Sequence, residues 1–216
     1  MSSGRLVGSV QRPLSLDGVG YRGTGRNCAR MADVDLTPMD LELLPPIAHA
    51  SAEGDPPPHP ETFKAVTNLE DLIRPEHGLW CSPITARSAG GAPTATAWTE
   101  WCATPHELTG RPSELRDRYT KLIQVEPLPR ARIYRIDTTD DLNRLVEAFP
   151  LPPAHLMHRT APDWAAMAAS SWDAVYASAA GLTANAERIP LFEPSLARWE
   201  CSSVLWLRPA YQLTIP

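Results

Sequence analysis

The chain has 216 residues, with 25 acidic against 20 basic side chains and a formal net charge of −5 at pH 7. That balance argues against sequence-independent nucleic-acid binding, which needs a positive footprint. No apolar run approaches the roughly 18 residues that span a bilayer, and no apolar stretch of the signal-peptide kind opens the chain, so a non-membrane, cytoplasmic protein is expected.

Residues 1–30 carry Arg5, Arg12, Arg22, Arg26 and Arg30 against the single acid Asp17. Met31 then opens MADVDLTPMDLELL, which reads as an ordinary start, so residues 1–30 are expected to be an upstream-start artefact or a short basic arm. Asp35 to Leu44 has the pattern of one or two helical turns. Pro45 to Glu61, PPIAHASAEGDPPPHPE, is proline-rich without apolar periodicity and is expected to be an extended linker. Residues 1–60 together read as a disordered, Pro-rich N-terminal arm, with one folded domain over residues 61–216. Eighteen arginines against Lys64 and Lys121, with abundant Ala and Pro, are the mark of a GC-rich coding sequence of bacterial or phage type.

Within that domain, TFKAVTNLEDLIRP predicts a short strand and then a helix capped by Asn68 and stopped by Pro75. GLWCSPI predicts a strand ending at Pro83, followed by a flexible loop, ITARSAGGAP. Thr94–Ala103 has helical character, with Trp98, Trp101 and Cys102 on one face. Leu122–Glu126 and Ala131–Ile136 read as strands, and Asp137 to Asp141 cap a helix running to about Phe149. Thr160 is the expected cap of a second helix over Trp164–Ala169. Trp172–Ala177, Ser203–Leu207 and Tyr211–Ile215 close the chain as strands. Short strands outnumber helices and no βα unit repeats, which predicts an α+β fold with a largely antiparallel sheet.

Motifs for phosphate loops, dinucleotide folds, zinc proteases and serine hydrolases are absent from the sequence. Cys28, Cys81, Cys102 and Cys201 show no zinc spacing, and the last three read as small buried hydrophobes. His155 and His158, at i and i+3, lack a third ligand and read as surface residues, so no metal is expected. His77 and His106 read as loop residues, Asp173 as an exposed strand residue or turn acceptor, and Trp172 and Trp206 as core.

Three tryptophan-bearing segments remain: Gly78-Leu79-Trp80-Cys81-Ser82, Thr94-Ala95-Thr96-Ala97-Trp98 and Trp199-Glu200-Cys201-Ser202-Ser203-Val204-Leu205. Their arrangement resembles the ADP-ribosyltransferase fold, in its diphtheria-toxin and poly(ADP-ribose)-polymerase branch. The resemblance implies an NAD-dependent mono-ADP-ribosyltransferase or NAD glycohydrolase, with NAD as substrate and a protein or nucleotide as acceptor. It implies that Gly78, Trp80, Ser82, Thr96 and Trp98 hold the nicotinamide. It also implies a carboxylate near the ribose, for which Glu200 is the first candidate and Glu100 the second. The family position immediately before the strand's apolar run falls on Ser202, with Glu200 two residues earlier. The family's first-strand His or Arg would fall between His59 and Val66. The alternative is a non-catalytic binding or interaction protein, of phage, toxin or immunity type, in which the carboxylate is absent.

Overall fold

The computed structural model describes residues 35–68, 75–104, 118–189, 192–196 and 199–214. The strands are β1 (Ile47–Ser51), β2 (Leu79–Arg87), β3 (Pro93–Thr96), β4 (Lys121–Pro127), β5 (Ile133–Ile136), β6 (Ala174–Ala177), β7 (Ser203–Trp206) and β8 (Tyr211–Thr214). The helices are α1 (Ala97–Ala103), α2 (Thr139–Ala148), α3 (Trp164–Ala169) and α4 (Ala179–Ala184). The strands join in the order β5-β6-β7-β2-β1-β4-β8, with β3 hairpinned onto β2. Among the described strands only β5 and β6 run parallel. The fold is α+β on a mostly antiparallel sheet.

Register explains how the sheet acquires two apolar faces. Tyr134, Val175, Leu205 and Trp80 lie side by side across β5, β6, β7 and β2, so they share a face. That face is covered by Leu142 and Leu145 of α2 and by Trp164 and Met167 of α3. Ile133, Ala174, Trp206 and Leu79 form the opposite row, which packs with Ile47, Val125 and Tyr211. Met39, Leu41 and Phe63 pack against this second cluster. Trp172 and Trp206 are both core residues.

The Pro-rich stretch is not the linker expected of it, and the folded body does not begin at Glu61. Ile47–Ser51 forms β1, which pairs with β4 along its whole length and sits inside the sheet. A five-residue strand between proline clusters shows too little alternation to be read locally. Its partner lies some seventy residues further on. The segment from Asp35 supplies a 3-10 turn, Leu41–Leu43, capped by the Asp40 carboxylate. The expected Asn68-capped helix and the segment 1–30 lie outside the described residues. Thr67 makes only an isolated bridge to Glu76 where a short strand was expected.

β2 does not stop at Pro83. The N–H of Ile84 donates to the Pro46 carbonyl, towards β1, so the proline nitrogen faces the other way. On that side pairing with β7 has ended at Cys81 and pairing with β3 begins at Ile84. Pro83 occupies the gap, where it forfeits no ladder bond. The ITARSAGGAP segment therefore continues β2 to Arg87 and enters β3 at Pro93, with a turn between them in which Ser88 N–H donates to Ala92 O.

Two helix starts differ in detail. α2 is capped by Thr138, whose hydroxyl accepts from Asp141 N while the Asp141 carboxylate accepts from Thr138 N, a reciprocal box. α3 is capped by Asp163, not Thr160; the Asp163 carboxylate accepts from Ala166 N and from the Asn68 amide. Sequence reading missed α4, because Gly181 interrupts its pattern. A Cβ there would lie 2.2 Å from the Ile136 carbonyl oxygen, so glycine lets this helix lie against β5.

Candidate functional site

β1 and β2 pair only at Ile47 with Pro83 and at Ala48 with Ser82. Beyond that point β1 stays with β4, while Leu79–Cys81 of β2 stay with β7. The two strands thus part, and the sheet opens as a fork. His49 is the first residue past the last β1–β2 pair. Its Nδ1 donates to the Trp80 carbonyl at 2.8 Å, across the open side of the fork. A carbonyl can only accept, so Nδ1 carries the proton and Nε2 is left as an acceptor when the ring is neutral. Burial lowers the His49 pKa from its ordinary value, against the Trp80 carbonyl and the Asp55 charge, which both raise it.

A cavity of about 180 Å³ occupies this fork. Its walls include His49, Trp80, Ser82, Trp98, Trp199 and Glu200, with Tyr119, Cys201 and Ser203 nearby in the lining. A closed apolar cavity of roughly 150 Å³ takes one benzene ring, so this one accommodates a single aromatic ring with a small substituent. It is below the few hundred Å³ that drug-sized ligands occupy. Anything larger has to extend through the mouth.

Local chemistry explains each wall. Trp80 is half-buried on β2 and meets Trp199 edge to face, with centroids 4.7 Å apart. Trp199 is buried and leans in turn on Trp164 of α3, which ties the cavity wall to the main core. Ser82 is buried, and its Oγ accepts from the N–H of Trp98 in the first turn of α1. That bond docks the helix start on β2 and sets Trp98 over the cavity. Trp98 stacks on Trp101 at 4.9 Å and meets Tyr119 edge to face at 5.6 Å. Glu200 is exposed on the segment leading into β7. Cys201 is half-buried, whereas Cys81 and Cys102 are buried. Burial pushes the Cys81 thiol well above its ordinary range, opposed by the neighbouring Trp206 indole, which makes it a poor nucleophile.

Four residues singled out from sequence, Trp80, Ser82, Trp98 and Glu200, therefore meet at one cavity. Gly78, Thr96 and Glu100 are not among its described lining. Gly78 has φ +71° and packs against β7. Thr96 is fully buried as the N-cap of α1, in a reciprocal box with Thr99. Glu100 is an exposed residue of α1. Ser202 turns aside, its Oγ donating to the Ala177 carbonyl at 3.1 Å. Glu200 and Ser202 both precede β7, which starts only at Ser203. Sequence reading missed His49 and Tyr119. No local pattern marks His49, because IAHAS becomes a strand only through its ladder with β4.

Asp173 also differs from expectation. It is buried, accepts from Arg132 N at 2.8 Å and binds the Arg208 guanidinium at 2.6 Å. Among the described residues no group of three or more His, Cys, Asp or Glu side chains is placed to hold a metal ion. No helix there is long and apolar enough to cross a membrane.

Comparison of the chain with protein-family models, curated proteins and solved structures finds no match.

Proposed function

We propose that the chain is an NAD-consuming enzyme, a mono-ADP-ribosyltransferase or NAD glycohydrolase, working at the fork between β1 and β2. The observation that carries the reading is the meeting of Trp80, Ser82 and Trp98 with Glu200, from distant parts of the chain, around a cavity of one-ring size. Aromatic walls suit a planar ring, and His49 Nε2 and the hydroxyls supply hydrogen bonds to orient a polar substituent or a ribose.

In this reading the nicotinamide ring of NAD enters the cavity and the ribose lies at its mouth, facing Glu200. The N-glycosidic bond breaks, and its electron pair passes to the ring nitrogen, so neutral nicotinamide leaves. Positive charge develops on the ribosyl carbon as an oxocarbenium-like state, which the Glu200 carboxylate stabilises. Water, or a nucleophile on a protein or nucleotide acceptor, then bonds to that carbon and gives up a proton.

A second reading, ligand binding without catalysis, draws on Ser202. The residue immediately before the apolar run is a serine bonded to Ala177 O, so that position offers no carboxylate. One assay separates the two readings. Purified protein is incubated with NAD and nicotinamide is quantified, for wild type, Glu200→Gln and Glu100→Gln. The enzyme reading expects release by wild type, a fall of about 10²–10³-fold in Glu200→Gln and little change in Glu100→Gln. No release by wild type, together with no NAD-dependent rise in melting temperature, rejects it.

A further inference from the structure

We propose that the cavity is selective for an organic cation, a planar positively charged ring such as an N-alkylpyridinium, over neutral rings of the same shape. The proposal rests on the reading above in placing the ligand ring in this cavity, and goes beyond it in naming what the cavity discriminates. Three indoles and a phenol contribute to the walls, from Trp80, Trp98, Trp199 and Tyr119. The faces of Trp, and less strongly of Tyr, attract a cation through the ring quadrupole, and the attraction grows when water is excluded. Ordinary apolar packing would be served equally well by leucine or valine, and the described lining contains neither.

The charges around the cavity point the same way. Among its described lining residues there is no lysine or arginine, and the one carboxylate is Glu200, exposed near the mouth. His49 could oppose a cation only if protonated. Its Nδ1–H is committed to the Trp80 carbonyl and burial disfavours its charged form, so it presents a neutral acceptor. A cation therefore meets aromatic rings, a lone pair and a carboxylate. A neutral ring of the same outline gains only the packing.

Cleavage of an N-glycosidic bond to a pyridinium converts the ring from cation to neutral molecule as its nitrogen receives the bonding pair. The ring that leaves is then the one the cavity holds less well, so product release is built into the recognition.

The test uses three small probes on the full chain by isothermal titration calorimetry: 1-methylnicotinamide as its chloride, neutral 1-methyl-1,4-dihydronicotinamide and nicotinamide. The cation is expected to bind about ten-fold or more tightly than either neutral ring. Glu200→Gln should reduce that ratio several-fold, and Trp98→Leu should reduce it as well. Glu200 is exposed, so its variant keeps the test sound if Trp98→Leu does not fold. Equal or tighter binding of the neutral rings, or no binding of the cation at millimolar concentration, overturns the proposal. Nicotinamide release from NAD alongside equal binding of all three probes sinks this inference alone. A cation preference without release sinks only the enzymatic reading.

Discussion

The Nδ1–H of His49 donates to the main-chain carbonyl of Trp80 at the point where β1 and β2 separate. One side chain thus takes over the role of the missing ladder and holds the fork at a fixed opening. His49→Ala removes the hydrogen bond that the Trp80 carbonyl accepts across the fork. The expected loss is about 1–3 kcal/mol of unfolding free energy, measured by urea denaturation. A loss below 0.5 kcal/mol would mean that the fork is held open by packing alone.

The same residue gives a pH dependence of known sign. Its folded pKa is lowered from the ordinary 6.5, chiefly by burial. Above 6.5 both the folded and unfolded states hold a neutral ring, so stability is at its full value. Below 6.5 the unfolded chain takes up a proton that the folded chain resists, so stability falls as pH drops towards the folded pKa. Wild type should therefore lose melting temperature between pH 7 and pH 5 more steeply than His49→Gln. Parallel curves for the two proteins would remove His49 as the cause.

Gly78 tests whether a glycine beside an aromatic strand serves the ligand or the backbone. Its φ of +71° is a left-handed conformation, and a Cβ would sit 2.7 Å from the Trp206 carbonyl oxygen. The obstacle is main chain, which cannot swing away. Gly78→Ala should cost roughly 2–5 kcal/mol, combining the conformational penalty with overpacking. The expected phenotype is a lower melting temperature; a variant as stable as wild type would show that β2 can shift locally to admit a methyl group.

What could be read from the sequence was what is encoded locally. Trp98, Trp101 and Cys102 announce a helix by their spacing, and α1 follows it. Trp80 and Ser82 alternate along a strand, and both reach the cavity. Glu200, which the resemblance offers as a carboxylate two residues before Ser202, lines the same cavity. What was hidden depends on pairing at a distance. β1 is five residues long and flanked by prolines, and only its ladder with β4 makes it a strand. His49 was invisible as a site residue for that reason. Thr96 was legible as a hydroxyl near the site, but its neighbour Thr99 engages it as a helix cap. Pro83 read as a stop because a lone strand gives no hint that the next two partners leave a gap there.

Asp173 anchors the start of β6 through two different partners, Arg132 N and the Arg208 guanidinium. Replacing it by alanine strands a main-chain donor and removes the counter-charge of Arg208. The expected cost is about 1–3 kcal/mol, with Arg208→Ala alone costing less because its guanidinium is partly exposed. A double-mutant cycle by denaturant titration checks the ordering, and equal costs for the two single variants would contradict it.

In the proposed reading Glu200 and Ser202 are the two candidates for the residue that faces the ribose, and their surroundings differ. Glu200 belongs to the cavity lining, whereas Ser202 bonds to the Ala177 carbonyl and lies 3.4 Å from the Tyr176 hydroxyl. If Glu200 supplies the charge that steadies the oxocarbenium-like state, Ser202→Ala should leave nicotinamide release within about two-fold of wild type, because a surface-type hydroxyl bond elsewhere touches no reacting atom. Its effect should appear in stability instead, at about 0.5–1.5 kcal/mol for one hydrogen bond. Glu200→Gln should show the reverse pattern, with melting temperature unchanged and release lost. The two measurements on each variant, release of nicotinamide and thermal denaturation, therefore assign the roles by opposite signatures. A Ser202→Ala protein that keeps its stability and loses its release would move the working position from Glu200 to Ser202.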